Sequence, residues 1–177
     1  MKKVILFGDS LLGKMNIRLI KEIEKKSGNV VILNCATGGM TTKDALERVD
    51  FLSEIKHDYT VISLGTNDIF RDNLDIKEYI DNMVEIIQSL NNSDIIIWLN
   101  PPVDDRNDAE GTIKFNDKIK DYYTELQKVF LGEVLFIDSF GNYRNEPNFD
   151  KFHKEDGVHL TDDGYAPFIN SLSKLLK

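Results

Sequence analysis

The sequence predicts an α/β fold, a three-layer α/β/α sandwich built on a five-stranded parallel sheet. Two patterns in the 177 residues carry this prediction. Short apolar runs rich in β-branched residues recur at fairly even spacing, and segments with apolar residues three and four positions apart lie between them. Strands that alternate with helices form right-handed βαβ crossovers, which produce a parallel sheet with helices on both faces.

The predicted strands are short apolar runs, which are typical of parallel strands covered on both faces. They are Val4–Phe7, Val30–Leu33, Tyr59–Leu64, Ile95–Leu99 and Val134–Ile137. We expect the sheet order 2-1-3-4-5, in which the first three strands are neighbours.

The clearest predicted helices lie in the second half of the chain, where apolar residues repeat at helical spacing. The first has Ile76, Tyr79, Ile80, Met83, Val84, Ile87 and Leu90; the second has Phe115, Ile119, Tyr122, Leu126 and Val129; the last has Phe168, Leu172 and Leu175. Each of these stripes would face the sheet. We find no internal repeat and no low-complexity linker, so we expect one domain over residues 1–177.

Composition and charge exclude several classes of protein. Hydrophobic residues make up 41% and charged residues 29%, which fits a globular protein and not a disordered one. The net charge of -8, from 22 Lys and Arg against 30 Asp and Glu, would repel phosphate backbones. Nucleic acid is therefore not an expected partner.

No segment of the sequence is expected to span a membrane. The longest apolar run, Ile95–Leu99, is far shorter than the roughly 20 residues that a spanning helix needs. The chain begins Met1-Lys2-Lys3 with only a short apolar run before Gly8, so a secretory signal is not expected either. The single Cys35 fits a reducing compartment and is expected to be a small core residue. We therefore expect a cytoplasmic protein.

Two long loops are predicted, over residues 100–111 and 139–160. The first carries four acidic residues: Asp104, Asp105, Asp108 and Glu110. We interpret this acidic run as a solvated loop, with a rim that faces a substrate as the alternative.

Polar and glycine-rich segments follow the first three predicted strands. In chain order they are Gly8-Asp9-Ser10, Asn34-Cys35-Ala36-Thr37-Gly38-Gly39 and Gly65-Thr66-Asn67-Asp68. Ligands of open parallel sheets bind beyond the carboxyl ends of the strands. Because these three strands are expected to be neighbours, Ser10, Gly39 and Asn67 should meet in one patch.

These residue types supply the four parts that acyl transfer needs. Ser10 has the hydroxyl nucleophile, and His159 can accept its proton. Asp156 lies three residues before His159, close enough for a local turn to orient the imidazole ring. The Gly39 N–H and the Asn67 amide can join the Ser10 N–H as an oxyanion hole.

Each residue also has an ordinary structural interpretation. A Ser ahead of a helix is usually an N-cap, a Gly-Gly pair is usually a turn, and an Asn after a strand usually belongs to a loop. The coincidence of several such groups at the ends of adjacent strands favours catalysis. For the remaining histidines, His57 and His153, we expect surface roles.

At these positions the sequence resembles the SGNH hydrolases, also called the GDSL esterase and lipase family. By this resemblance, Ser10 within Gly8-Asp9-Ser10-Leu11 is the nucleophile, and Asp156 and His159 are the acid and the base. Gly39 resembles the oxyanion glycine and Asn67 the oxyanion asparagine. The motif blocks occur in family order across nearly the whole chain, and the five-strand layout is similar to the family fold.

The resemblance implies a serine esterase that works through an acyl-enzyme and requires no cofactor. Its implied substrates are small-molecule carboxylic esters: acetylated sugars, short-chain esters, lysophospholipids and acyl thioesters. Gly39 lies five residues after Asn34, a spacing similar to that of the family, and Gly38 remains the alternative. Leu12 departs from the small hydroxyl residue that many relatives carry, which affects the expected contacts at the mouth of the site. The sequence does not determine the oligomeric state.

Three other interpretations explain fewer of these residues. Gly8, Gly13 and Lys14 fit a phosphate-binding loop, but Met15 stands where a magnesium-binding hydroxyl is needed. His153, Asp156 and His159 could share a metal, yet no fourth ligand is evident. An α/β-hydrolase is disfavoured because Leu12 replaces the second glycine of the nucleophile elbow.

Overall fold

The computed structural model describes residues 1–90, 92–104, 109–143, 146 and 149–177. Its five strands pair in parallel in the order β2-β1-β3-β4-β5, which confirms the predicted sheet. The strands are β1 (Lys2–Gly8), β2 (Val30–Asn34), β3 (Tyr59–Ser63), β4 (Asp94–Leu99) and β5 (Leu135–Asp138). Each lies within two residues of the run that predicts it.

Helices connect the strands on both faces of the sheet. They are α1 (Ser10–Gly13), α2 (Ile17–Ser27), α3 (Thr42–Leu46), α4 (Val49–Ser53), α5 (Thr66–Phe70), α6 (Ile76–Ser89), α7 (Ala109–Val129), α8 (Ser139–Asn142) and α9 (Asp162–Leu175). The predicted helices correspond to α6, α7 and α9. Among the rest, α2 has sequence signals of its own, because Asn16 caps its start and Gly28 ends it.

The core consists of one apolar cluster on each face of the sheet. Successive side chains of a strand point to opposite faces. In β1, Ile5 and Phe7 therefore pack with α6 and α7, whereas Val4 and Leu6 pack with α2 and α9. The result is the predicted three-layer sandwich.

The edge strands are less buried than the sequence suggests. All five strands are predicted as buried, and this is wrong for Leu33 in β2 and Leu135 in β5, which are 50% and 45% exposed. Both strands have a neighbour on one side only. Apolar runs indicate a strand, but not its place in the sheet.

The register of the central strands fixes where the candidate site lies. Gly8 at the end of β1 pairs with Ser63 at the end of β3, and Leu6 pairs with Asn34 at the end of β2. The segments that follow these three strands therefore leave the sheet side by side. In the described part of the chain, no helix is long and apolar enough to cross a membrane.

Candidate active site

Ser10 lies at the first position of α1, where the backbone turns sharply away from β1. Gly8 makes this turn possible, because a Cβ atom there would lie 2.1 Å from the carbonyl oxygen of Ser63. The helix is capped by Asp9, whose Oδ1 accepts a hydrogen bond of 2.9 Å from the Leu11 N–H. The hydroxyl of Ser10 is therefore not used as a cap.

The hydroxyl of Ser10 instead contacts a histidine from the far end of the chain. Ser10 Oγ lies 2.9 Å from Nε2 of His159, and Nδ1 of the same ring lies 2.6 Å from Oδ2 of Asp156. The three side chains form one continuous hydrogen-bonded chain. A carboxylate accepts at Nδ1, so that nitrogen carries the proton and Nε2 presents its lone pair to Ser10.

The loop that carries Asp156 and His159 is held by its own hydrogen bonds. Asp156 Oδ1 accepts from the backbone N–H groups of Val158, at 3.0 Å, and His159, at 2.8 Å. Burial raises the pKa of Asp156, but the hydrogen bonds from His159 and Val158 outweigh it and lower the pKa to about 2. Asp156 is therefore ionised throughout the neutral range, as an orienting group requires.

Two consecutive glycines, Gly38 and Gly39, lie in the segment that follows β2. The Thr37 N–H donates to the Gly8 carbonyl at 2.8 Å, which folds this segment back over the end of β1. A Cβ atom on Gly38 would lie 3.9 Å from Cβ of Ser10, and Gly39 has a φ of 78° that few other residues adopt. Gly38 is close to Ser10 and Gly39 is the next residue in the chain, so the geometry leaves the choice between their N–H groups open.

The amide of Asn67 lies between the glycine segment and the nucleophile segment. Its Nδ2 donates to the Met40 carbonyl at 3.3 Å and is 3.4 Å from Oδ2 of Asp9. Arg71, one helical turn further along the chain, donates to the Gly39 carbonyl at 2.5 Å and is held by Asp44 at 3.1 Å. The structure thus brings all five predicted site residues to one edge of the sheet.

Two buried carboxyl groups lie beneath this site, and sequence reasoning assigned neither a role. Asp9 and Asp68 are both fully enclosed. Burial raises the pKa of Asp9 to about 7, assisted by the charge of Asp68 and opposed by the hydrogen bond from Leu11. Burial likewise raises the pKa of Asp68, against hydrogen bonds from Thr42. The sequence feature that could have indicated both groups is an acidic residue shortly after the end of a buried strand.

The predicted surface roles of the remaining histidines are wrong. His57 is buried with Nε2 2.7 Å from the Thr60 hydroxyl, and His153 is buried with Nε2 donating to the Pro102 carbonyl at 2.9 Å. Polar sequence neighbours suggested exposure, but His57 hydrogen-bonds to Ile55 and Thr60 close to it in the chain, and His153 hydrogen-bonds to Pro102, 51 residues away.

The structure does not support the phosphate-loop and metal-site interpretations. Residues Ser10–Gly13 form a helix that buries Leu11 and Leu12, so they make no open loop around a phosphate. Leu12 is fully buried, so its side chain is not exposed at the mouth of the site. The chain of Ser10, His159 and Asp156 already occupies two of the residues of the possible metal site. The part of the chain that the structure describes holds no cluster of His, Cys, Asp or Glu that could bind a metal.

The acidic loop is only partly solvated. Asp104 is buried, and its N–H donates to the Gly157 carbonyl at 2.8 Å, which ties the loop to the segment that carries His159. Glu110 is exposed and pairs with Lys114. The other two acidic residues of the predicted loop, Asp105 and Asp108, lie outside the described residues.

Comparison with solved structures supports the fold. The chain is similar to a lipase/acylhydrolase from Enterococcus faecalis, with 25% identity, a TM-score of 0.81, and coverage of 100% of this chain and 98% of that chain. It is also similar to a member of the lipolytic protein G-D-S-L family from Veillonella parvula DSM 2008. There the identity is 16% and the TM-score 0.82, with coverage of 99% and 98% of the two chains.

Comparison of sequences gives two further findings. The chain is 25% identical over 182 residues to N-acylneuraminate cytidylyltransferase from Escherichia coli O18:K1:H7 (strain RS218 / NMEC). This match covers 98% of the chain but only 40% of that relative. The family model of the GDSL-like Lipase/Acylhydrolase family matches residues 6–166, which include every residue of the site. The chain therefore belongs to the GDSL-like lipase/acylhydrolase family.

Proposed function

We propose that this protein hydrolyses a small carboxylic ester through an acyl-enzyme on Ser10. The single observation that carries the proposal is the unbroken hydrogen-bonded chain from Ser10 through His159 to Asp156. A hydroxyl becomes a useful nucleophile when a neutral imidazole can take its proton and a carboxylate holds that imidazole in place.

In the first half of the reaction, His159 Nε2 takes the proton of Ser10 as Oγ attacks the carbonyl carbon. The electron pair of the carbonyl moves onto its oxygen, which becomes an oxyanion. The tetrahedral intermediate then collapses, His159 gives its proton to the oxygen of the leaving alcohol, and the acyl group stays on Ser10. Asp156 remains ionised and stabilises the imidazolium while it exists.

In the second half, water takes the place of the alcohol. His159 removes a proton from the water, the hydroxide attacks the acyl carbon, and a second oxyanion forms. Its collapse breaks the bond to Oγ, which recovers the proton from His159 and releases the carboxylic acid. The two halves thus regenerate the resting enzyme with one water consumed.

The oxyanion in both halves would be bound by three donors: the N–H groups of Ser10 and Gly39 and the Asn67 amide. Donors fixed in advance stabilise developing charge without reorganisation, and removing one typically costs about 10²–10³ in kcat. These three donors would come from the segments that follow β1, β2 and β3.

For the substrate, we propose a small ester among four classes: short-chain esters, acetylated sugars, lysophospholipids and acyl thioesters. The relative named for N-acylneuraminate favours a sugar substrate. The acyl group in that name is an amide on nitrogen, so the ester cleaved here would be an O-acyl group on such a sugar. A comparison of kcat/KM across one ester of each class ranks them. An acetylated sugar is expected to give the highest value, and a higher value for any other class would replace this assignment.

The first test is hydrolysis of p-nitrophenyl acetate by wild type and Ser10→Ala. We expect kcat to fall by at least about 10³-fold in Ser10→Ala with an unchanged circular dichroism spectrum. Ser171→Ala is the matched control, because Ser171 is exposed on α9. Undiminished kcat in folded Ser10→Ala would overturn the proposal, and ATP-dependent activity lost in Lys14→Ala would favour the phosphate-loop alternative.

A further inference from the structure

The mechanism above leaves two buried carboxyl groups unused, and they differ in what they contact. Asp68 Oδ1 accepts from the N–H of Thr42 at 2.9 Å and from its hydroxyl at 2.5 Å, so Asp68 anchors the start of α3. Asp9 immediately precedes the nucleophile and faces the candidate oxyanion hole. Because of this position, Asp9 is the one of the two that can affect catalysis.

The two oxygens of Asp9 have different partners. Oδ1 accepts the 2.9 Å hydrogen bond from Leu11 that caps α1. Oδ2 lies 3.4 Å from Nδ2 of Asn67, the side chain proposed as an oxyanion donor. The carboxyl group of Asp9 therefore connects the backbone of α1, which carries Ser10, with the side-chain amide of Asn67.

A side-chain amide has two ends of nearly the same shape, and only the nitrogen end can donate to an oxyanion. Nδ2 of Asn67 is near two acceptors, Oδ2 of Asp9 and the Met40 carbonyl at 3.3 Å. A flipped amide would turn its oxygen toward both of them. Both contacts are long, so an oxyanion bound at ordinary hydrogen-bond distance can take over one hydrogen of the nitrogen.

We propose that Asp9 is a positioning residue for ester hydrolysis, whose carboxylate oxygen Oδ2 keeps the nitrogen of the Asn67 amide directed at the oxyanion. This inference rests on the proposed function, because it needs Asn67 to serve as an oxyanion donor. Asp9 does not touch the reacting atoms and acts through Asn67.

The proposed role depends on the ionisation of Asp9. Burial raises its pKa to about 7, and because Oδ1 is occupied by the Leu11 N–H, a proton would reside on Oδ2. A protonated Asp9 would present O–H to the N–H of Asn67, two donors in opposition. The orientation is thus held above the pKa of Asp9 and released as pH falls below it.

Other titratable groups near Asp9 come from four helices. They are Asp68 on α5, Tyr79 on α6, Tyr123 on α7 and Tyr165 on α9. Burial raises the pKa of each tyrosine above its ordinary value, so all three stay neutral over the tested range. Burial also raises the pKa of Asp68, and the negative charge of Asp68 raises the pKa of Asp9.

The first test is the ratio of kcat/KM for wild type to that for Asn67→Ala, measured on p-nitrophenyl acetate from pH 5.5 to 8.5. A pH effect that does not act through Asn67 is common to both proteins and cancels in the ratio. We expect a ratio of about 10²–10³ at pH 8.5 that shrinks at least tenfold by pH 5.5, because neutral Asp9 no longer orients Asn67. A ratio that stays constant over this range overturns the inference.

The second test is a double-mutant cycle with Asp9→Asn. This variant keeps a cap for α1, because Asn also accepts from the Leu11 N–H, but it turns a donor toward Asn67. We expect kcat to fall about 10²-fold with KM changed less than about twofold. In the Asn67→Ala background, Asp9→Asn should lower kcat by less than about threefold.

An equal loss in both backgrounds, or wild-type kcat in Asp9→Asn, would contradict the inference. If Asp9→Asn does not fold, the pH-dependent ratio decides alone, since it needs no Asp9 variant. Failure of the proposed function would look different, because the wild-type protein would then show no hydrolysis that depends on Ser10.

Discussion

The imidazole of His159 connects the hydroxyl of Ser10, 149 residues away in sequence, with the carboxylate of Asp156, three residues away. The two contacts have different requirements. The Asp156 contact is local, whereas the Ser10 contact needs the whole sheet to bring the ends of the chain together. Substitutions at these three residues should therefore have separable effects.

We predict that His159→Ala loses more activity than Asp156→Asn. Without His159 no group accepts the proton, whereas in Asp156→Asn the backbone of the loop still positions the ring. The measurement is kcat on one ester for both variants. A larger loss of kcat in Asp156→Asn than in His159→Ala would contradict this prediction, and His153 would then be the next candidate for the base.

The pH dependence of kcat/KM should come from the general base, together with the effect of Asp9 proposed above, and not from the acid that orients the base. For wild type we predict that kcat/KM rises with pH through the near-neutral range in which imidazolium loses its proton. Hydrogen bonds from His159 and Val158, against the effect of burial, lower the pKa of Asp156 to about 2, so Asp156 stays charged and adds no step above pH 4. Asp156 stabilises the fold above its unfolded pKa and loses this effect only as pH falls toward 2. A profile that is flat from pH 5 to 9 would exclude His159 as the base.

At Asn67 we predict a loss confined to turnover. Asn67→Ala should lower kcat about 10²–10³-fold, or roughly 2.7–4 kcal/mol, with little change in KM, because the amide binds the oxyanion more strongly than the ground-state carbonyl. Asn170→Ala, at an exposed position on α9, is the control. A rise in KM alone would make Asn67 a substrate-binding residue.

Sequence reasoning reached the residues that local motifs reveal and missed those defined by burial. Ser10, Asn67 and the pair of Asp156 and His159 each stand in a short motif at a strand end or in a turn. Asp9 and His153 have polar neighbours in the sequence, and their burial comes from segments far away in the chain. The local sequence pattern does not show that distant segments bury these side chains.

At the scale of elements, length decided which parts were predictable. The long helices α6, α7 and α9 show several turns of apolar periodicity. Helix α5 has five residues, just over one turn, and follows Gly65 with no side-chain cap, so its sequence looks like a loop. Ser10 and Asn67 lie on the short helices α1 and α5. Their sequence motifs predicted these residues, although no apolar periodicity predicted the helices.

The turn at the end of β1 gives a prediction for stability. Gly8→Ala should lower the free energy of unfolding by roughly 2–4 kcal/mol, because the new Cβ would lie 2.1 Å from the Ser63 carbonyl oxygen. Gly132→Ala is the control, since Gly132 also has positive φ but no atom lies within 4 Å of the added Cβ. Urea unfolding that ranks the two variants equally would remove the clash as the reason for glycine.

At the scale of the molecule, the sheet and its two apolar clusters hold together loops that are remote in sequence. Trp98 in β4 is fully buried, stacks on Phe168 with ring centroids 3.9 Å apart, and donates to the Ser139 hydroxyl at 2.7 Å. It thereby joins the sheet to α8 and α9. The loop that carries His159 directly precedes α9, so the packing of α9 also affects the site.

We therefore predict that Trp98→Ala lowers the free energy of unfolding by roughly 3–5 kcal/mol. Leu131→Ala is the matched control, because Leu131 is 83% exposed and should change stability by less than about 0.5 kcal/mol. Thermal and urea unfolding measure both. A small loss at Trp98 would mean that this cluster contributes little to the stability of the sheet.

The most direct test of the central claim is covalent labelling with a fluorophosphonate, with the modified peptide located by mass spectrometry. We expect one adduct, on Ser10, that forms in wild type and Ser171→Ala, is absent from Ser10→Ala and forms much more slowly in His159→Ala. An adduct on another residue, or ester hydrolysis by a protein whose Ser10 stays unlabelled, would contradict the claim that Ser10 is the nucleophile.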